Sequence, residues 1–206
     1  MKAIFKEDML ILVPNGEHET LELAQWESRF EQHEFVLAKN PGCGVMLRDL
    51  GDPRLSQPIN VTSKHPSPSI QLIGNFGATP FELDGISYAS VESFWQSLKC
   101  RKDNDRLRIA KLSGAEAKRA SGAFPYEETF TYRGEEILTG SFSHWKLMAR
   151  ACAAKFDQNA AARSALVSTF PYPLEHRLRN DSQTIPGDVM ARIWMGFRHQ
   201  YRQSSE

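Results

Sequence analysis

A chain of 206 residues, 41% hydrophobic and 24% charged, has the composition of a soluble globular protein and enough length to bury one sizeable core. Its 25 Lys and Arg balance 25 Asp and Glu, so no global field draws it onto nucleic acid or an anionic membrane. Cys43, Cys100 and Cys152 are odd in number and lack CxxC spacing, and the six His show no HExxH or paired spacing, so no disulfide framework, metal or other cofactor is expected.

Met9-Leu10-Ile11-Leu12-Val13 reads as a strand and is too short for a signal segment or a membrane span, so a cytoplasmic protein is expected. Pro14-Asn15-Gly16 is a turn, and Leu23, Trp26 and Phe30 share one face of a helix near 20–32. Extended pieces follow around 34–38 and 45–48. The polar, Pro-rich run Thr62 to Pro68 reads as a linker or exposed loop. Residues 1–65 are therefore expected to form an N-terminal extension packing on a main body, 66–206.

That body opens with Gly74-Asn75-Phe76-Gly77, an Asn beside Gly being a frequent turn former. Pro80 to Leu83 and Ile86 to Tyr88 alternate apolar and polar residues around Asp84-Gly85, which predicts a small hairpin. Ser90 stands at an N-cap position, and no Gly or Pro interrupts the chain from there through Lys102. At about 100° per residue Val91, Phe94, Trp95 and Leu98 share an apolar face. Glu92, Gln96 and Lys99 form a neighbouring stripe, with Ser93 and Gln96 in the middle of the wet face. Glu92 and Lys99 stand at its border, where side chains can line a cleft, although on spacing alone such a pair is more often a solvated surface pair.

Leu107, Ala110 and Leu112 mark another helix, interrupted near Gly114 and ended by Gly122. Arg101, Lys102, Arg106, Arg108 and Lys111 form either a local basic patch or an ordinary solvated face. Phe130-Thr131-Tyr132 and Ile137-Leu138 flank Arg133-Gly134 as a second hairpin would. A long helix spans about 141–157, the next starts near Asn159 and is broken by Pro171 and Pro173, and the last runs from about Pro186 through Val189, Ile193, Phe197 and Tyr201. The fold class is α+β, dominated by helices.

Asn75-Phe76, Pro80-Phe81, Asp84-Gly85, Ser90-Val91-Glu92, Trp95-Gln96 and Lys99, in that order, resemble the signature of the NADAR family of YbiA-like proteins. Trp145, Met148, Arg150 and Lys155-Phe156 resemble its later helix, with weaker echoes at Leu166, Leu174-Glu175-His176, Asn180-Asp181, Met195 and Arg198. The resemblance covers about residues 70–202. Two departures stand out: the Trp-Gly pair that family members place after the matching Asp is absent from Ser182 to Asp188, and the stretch Ser121 to Gly140 is longer than the usual connection.

The resemblance implies a helix-dominated NADAR-like domain that hydrolyses an N-glycosidic bond between ribose C1 and a nitrogen. Its substrate would be an ADP-ribosyl compound such as ADP-ribosylated guanine, free or within nucleic acid, or a ribosylamine nucleotide. Cleavage of that bond gives the sugar oxocarbenium character, so Glu92 is the expected carboxylate beside C1. Lys99 would hold a phosphate or the leaving base, or form a Schiff base with a ring-opened ribose. Asn75, Phe76, Gln96 and Asp181 are expected to line the substrate site, Arg150 and Lys155 to clamp a pyrophosphate, and Trp145 to stack on a base or cap the sugar. The alternatives are a module that binds ADP-ribose or a nucleotide without turnover and, less favoured by the neutral charge, a nucleic-acid or toxin-partner interaction protein.

Overall fold

The computed structural model describes residues 2–6, 9–30, 35–40, 44–49, 54, 57–179, 182 and 184–203. Asp181, expected to contact substrate, lies outside them, as do the side chains of Trp26 and Phe30. The chain divides into two compact units, Met1–Leu55 and Ser56–Glu206.

In the first unit, β1 (Lys2–Lys6) pairs antiparallel with β2 (Met9–Val13), α1 (Glu17–Phe30) follows, and β3 (Phe35–Asn40) pairs with β4 (Gly44–Asp49). The sequence pattern located β2, the helix and both later strands, but not β1.

The second unit begins with β5 (Ile59–Asn60), which pairs in parallel with β10 (Leu174–Glu175) near the other end of the chain. The expected linker runs directly into α2 (Pro68–Ile73). Proline suits its first turn, where its missing N–H has no helical partner to lose.

The β6 (Phe81–Leu83) and β7 (Ile86–Tyr88) hairpin forms as expected, with positive φ at both Asp84 and Gly85. A second hairpin joins β8 (Thr129–Tyr132) to β9 (Glu135–Leu138) through Arg133 and Gly134, again both at positive φ. Two positive-φ residues match the right-handed twist of the flanking strands, which is why Gly takes the second place in each turn.

Six further α-helices follow among the described residues: α3 (Val91–Ser97), α4 (Asp103–Ala110), α5 (Gly114–Ala120), α6 (Phe142–Gln158), α7 (Ala160–Ser168) and α8 (Gly187–Gln203). Each of α3, α5 and α6 starts at a serine: Ser90 accepts from the Ser93 amide, Ser113 forms a capping box with Glu116, and Ser141 accepts from the His144 amide.

The core gathers Val91, Phe94, Trp95 and Leu98 of α3, Met148, Cys152 and Phe156 of α6, Leu166 of α7, and Met190 and Trp194 of α8. Each such large side chain contributes roughly 1.5–3 kcal/mol by leaving water.

Two expectations about α3 are corrected. The helix ends at Ser97 rather than running toward Lys102, because Lys99 N–H bonds Gln96 O and Cys100 N–H bonds Ser97 O, tightening the last turn before Lys102 caps α4. Nor does α3 have a wet face: every residue from Val91 to Ser97 is buried, since α4, α5, α6 and β7 pack around it.

Candidate active site

A helix buried on all sides must satisfy its polar side chains from within. Ser93 does so through the cap, its hydroxyl donating to Ser90 O, and Ser97 donates to Phe94 O. Glu92 is 5% exposed. One of its carboxylate oxygens accepts from Gln96 Nε2 at 2.7 Å and faces Lys118 Nζ of α5 at 3.4 Å. Gln96 accepts in turn from the Ser121 hydroxyl in the 3-10 turn after α5. The result is a chain of buried polar groups, Ser121–Gln96–Glu92, that ends on the exposed ammonium of Lys118. Lys118 and Ser121 escaped the sequence reading; the serine-capped start at Ser113 was the local signal that a helix would carry them there.

The loop 74–77 closes one side. Glu92 N–H donates to Asn75 O at 2.9 Å, tying the loop to the first turn of α3. A Cβ on Gly114 would lie 2.8 Å from Phe76 Cα, so only glycine lets α5 approach this loop. The Asn75 amide donates to the Met190 sulfur at 3.8 Å, while its Oδ1 is buried without a partner. Such an orphaned acceptor suits a ligand donor.

Lys99, just past the end of α3, is half-buried with its ammonium 4.4 Å from the centre of the Tyr126 ring. Burial, and next the charge on Lys118, push the amine below its ordinary range, against the pull of Glu92. The Tyr126 hydroxyl is buried near Thr184 without a hydrogen bond of ordinary geometry, and burial, reinforced by the Glu92 charge, pushes the phenol up. Behind this group the His144 ring stacks on Trp95, centroids 3.9 Å apart. His144 Nδ1 accepts from Gly140 N–H, and burial pushes the imidazole down to about 4, so it is neutral near pH 7.

The structure therefore brings together Glu92, Gln96, Lys99 and the Asn75–Phe76 loop. It uses the later block otherwise. Lys155 is fully buried, and its ammonium donates to Ile73 O at 2.8 Å and Gly74 O at 2.9 Å. It holds the loop that carries Asn75 instead of facing a ligand, and burial pushes it down to about 8. Arg150 is spent on Asp84, donating to both carboxylate oxygens at 2.8 and 2.9 Å. Arg133 and Tyr132 also donate to Asp84; partial burial opposes its ionisation, but these three partners hold it below the usual carboxylate range. Lys155 is thus turned to the backbone, and Arg150 meets Asp84 through a single guanidinium nitrogen. Trp145 is half-buried and donates from Nε1 to Thr184 O at 2.9 Å, which fixes the segment ahead of α8.

The expected basic run is partly neutralised within α4, Arg106 near Asp103 and Arg108 near Asp105. Among the described residues no group of three or more His, Cys, Asp or Glu side chains could hold a metal ion, and no helix is long and apolar enough to cross a membrane.

A family model described as bacteriophage protein GP30.3 matches residues 67–186, and the chain belongs to that family, which is related to the NADAR proteins. No curated protein matches the chain. The NMR structure of the E. coli protein YbiA shares the fold, with a TM-score of 0.54 and 23% identity over 71% of this chain and 86% of that one.

Proposed function

We propose that this member of the GP30.3 family is a hydrolase that cleaves the bond between ribose C1 and a nitrogen in an ADP-ribosyl or ribosylamine substrate. The observation that carries the reading is the buried Glu92 carboxylate, held in one orientation by Gln96 and Lys118 beside an amine, Lys99, pushed toward its neutral form.

As the C1–N bond breaks, positive charge builds at C1 and the ring oxygen, and a carboxylate in a water-poor site stabilises it. Glu92 takes a proton from the attacking water, the hydroxide adds to C1, and the departing nitrogen keeps the bonding pair and takes a proton from solvent, to which Glu92 then returns its own. The orphaned Asn75 Oδ1 accepts from a ribose hydroxyl. Lys99 acts either as a cation toward the leaving group or, as its lowered proton affinity favours, as a nucleophile toward a ring-opened ribose aldehyde.

A second reading, ADP-ribose held without turnover, draws support from the Lys118 ion pair, which partly neutralises Glu92. Mass spectrometry of products from ADP-ribosylated guanosine, NAD and a ribosylamine nucleotide separates the two. Release of free base or amine by the wild type and its loss in Glu92→Gln is the expected result. Equal inactivity of both, with ADP-ribose still bound, selects the second reading.

A further inference from the structure

With Lys155 bonded to two backbone carbonyls and Arg150 paired with Asp84, the cation that stands at Glu92 among the described residues is Lys118. The pair is lopsided. The Glu92 side chain is 6% exposed and that of Lys118 is 60% exposed, and a single contact of 3.4 Å joins Lys118 Nζ to Glu92 Oε1. The same oxygen takes the Gln96 bond at 2.7 Å. Gln96 is buried and braced from behind by the Ser121 hydroxyl, so it is a fixed part of the site. Lys118 instead reaches in from solvent on a long, flexible stem.

An ion pair with one partner this exposed contributes at most about 1 kcal/mol. A phosphate oxygen makes shorter and stronger charge-assisted bonds with an ammonium, so an anion arriving here takes Lys118 from Glu92 at little cost. The local charge favours such an arrival. From Lys99 to Ala120 the chain carries eight Lys and Arg against three Asp and Glu, within a protein of zero net charge. The exchange changes what Glu92 offers. With Lys118 in contact the carboxylate is partly neutralised; with Lys118 drawn off, and Gln96 still holding its orientation, its full charge faces the positive charge that develops at C1.

We propose that Lys118 is a phosphate-triggered latch: in the free protein it neutralises Glu92, and a phosphate group of the substrate draws it away and releases the carboxylate for the reaction at C1. The role of Glu92 at C1 rests on the hydrolase reading above; the exchange of partners by Lys118 rests on the geometry of the pair. A substrate without phosphate meets a carboxylate that is still latched. The phosphate is therefore read in kcat as well as in KM, as happens when a remote group of the substrate acts on the reacting centre.

The first arm of the test reads binding alone. Inorganic pyrophosphate is titrated into the full chain while NMR follows the side-chain amide of Gln96, which shares Oε1 with Lys118. That signal should move as Lys118 leaves. In Lys118→Met it should start near the position that the wild type reaches at saturation and stay there, and Lys118→Arg should behave as the wild type does. The second arm compares kcat for a ribosylamine nucleotide and for the same ribosylamine without its phosphate. The wild type should favour the nucleotide about fivefold, the size of one exposed ion pair, and Lys118→Met should bring the two within about twofold. A Gln96 signal that pyrophosphate leaves in place, a shift that survives Lys118→Met, or a variant that slows both substrates equally and keeps the preference would each overturn the proposal. The last of these would make Lys118 a fixed counter-ion. A Gln96 shift in a protein that releases no base or amine from any substrate would sink the hydrolase reading alone, whereas release with an unmoved Gln96 signal would sink the latch alone.

Discussion

Helices α3 and α6 both carry polar side chains into the larger unit, and they differ in what those side chains have left to offer. On α6 the two cations of the family pattern have partners: both bonds from Lys155 go to the backbone carbonyls of Ile73 and Gly74, and Arg150 is paired with the Asp84 turn. On α3 and just past its end they are only partly met: Glu92 keeps an oxygen beyond its contacts with Gln96 and Lys118, and Lys99 rests on an aromatic ring rather than on an acceptor. A family pattern thus marks two kinds of residue at once, those left with bonding capacity and those that hold the Asn75 loop in place. Only the bonding inventory separates them.

The sharpest way to break this comparison is on α3. Glu92→Gln keeps the shape and the Gln96 contact but removes the charge, and turnover should fall by about 10³-fold, the typical worth of a positioned acid–base group, with the melting temperature nearly unchanged. Next comes Lys155→Met, which removes the ammonium donor from Ile73 O and Gly74 O and leaves Gly74 O with only the Gly77 N–H. It should cost about 2–3 kcal/mol in urea unfolding, a stability loss where a ligand clamp would show mainly a loss of binding.

A third effect is read with pH. His144 is held neutral in the fold down to about 4, whereas an unfolded chain protonates it near 6.5. Between those values the unfolded state binds the extra proton, so stability is full above pH 6.5 and falls by about 2–3 kcal/mol as pH drops to 4. His144→Phe, which preserves a flat ring on Trp95, should flatten that slope in urea titrations at pH 7 and pH 4. The smallest effect is expected from Arg150→Ala: its side chain is 46% exposed, so losing the pair with Asp84 should cost only about 0.5–1 kcal/mol and leave turnover within about twofold.

How much of this was legible differs by the range of the interaction. Local chemistry announced itself: Asp84-Gly85 and Arg133-Gly134 as turns, Ser90 as a cap, Pro171 as a stop. The burial of Ser93 and Gln96 did not, because a 3.6-residue period tells which side chains share a side and not whether another helix covers it. The Glu92–Lys118 pair, the Gln96–Ser121 bond and the parallel contact of Ile59–Asn60 with Leu174–Glu175 depend on segments meeting from far along the chain, and no local pattern encodes them. Tyr126 was passed over for the same reason: its value lies in touching Lys99, not in its neighbours in sequence.

The most direct test of the contrast is single-turnover release of the nitrogenous product, measured in parallel for the wild type, Glu92→Gln and Arg150→Ala. Loss in Glu92→Gln with release retained in Arg150→Ala is the result the account predicts. Release retained in Glu92→Gln and lost in Arg150→Ala, with both variants folded, would contradict it and move the chemistry to α6.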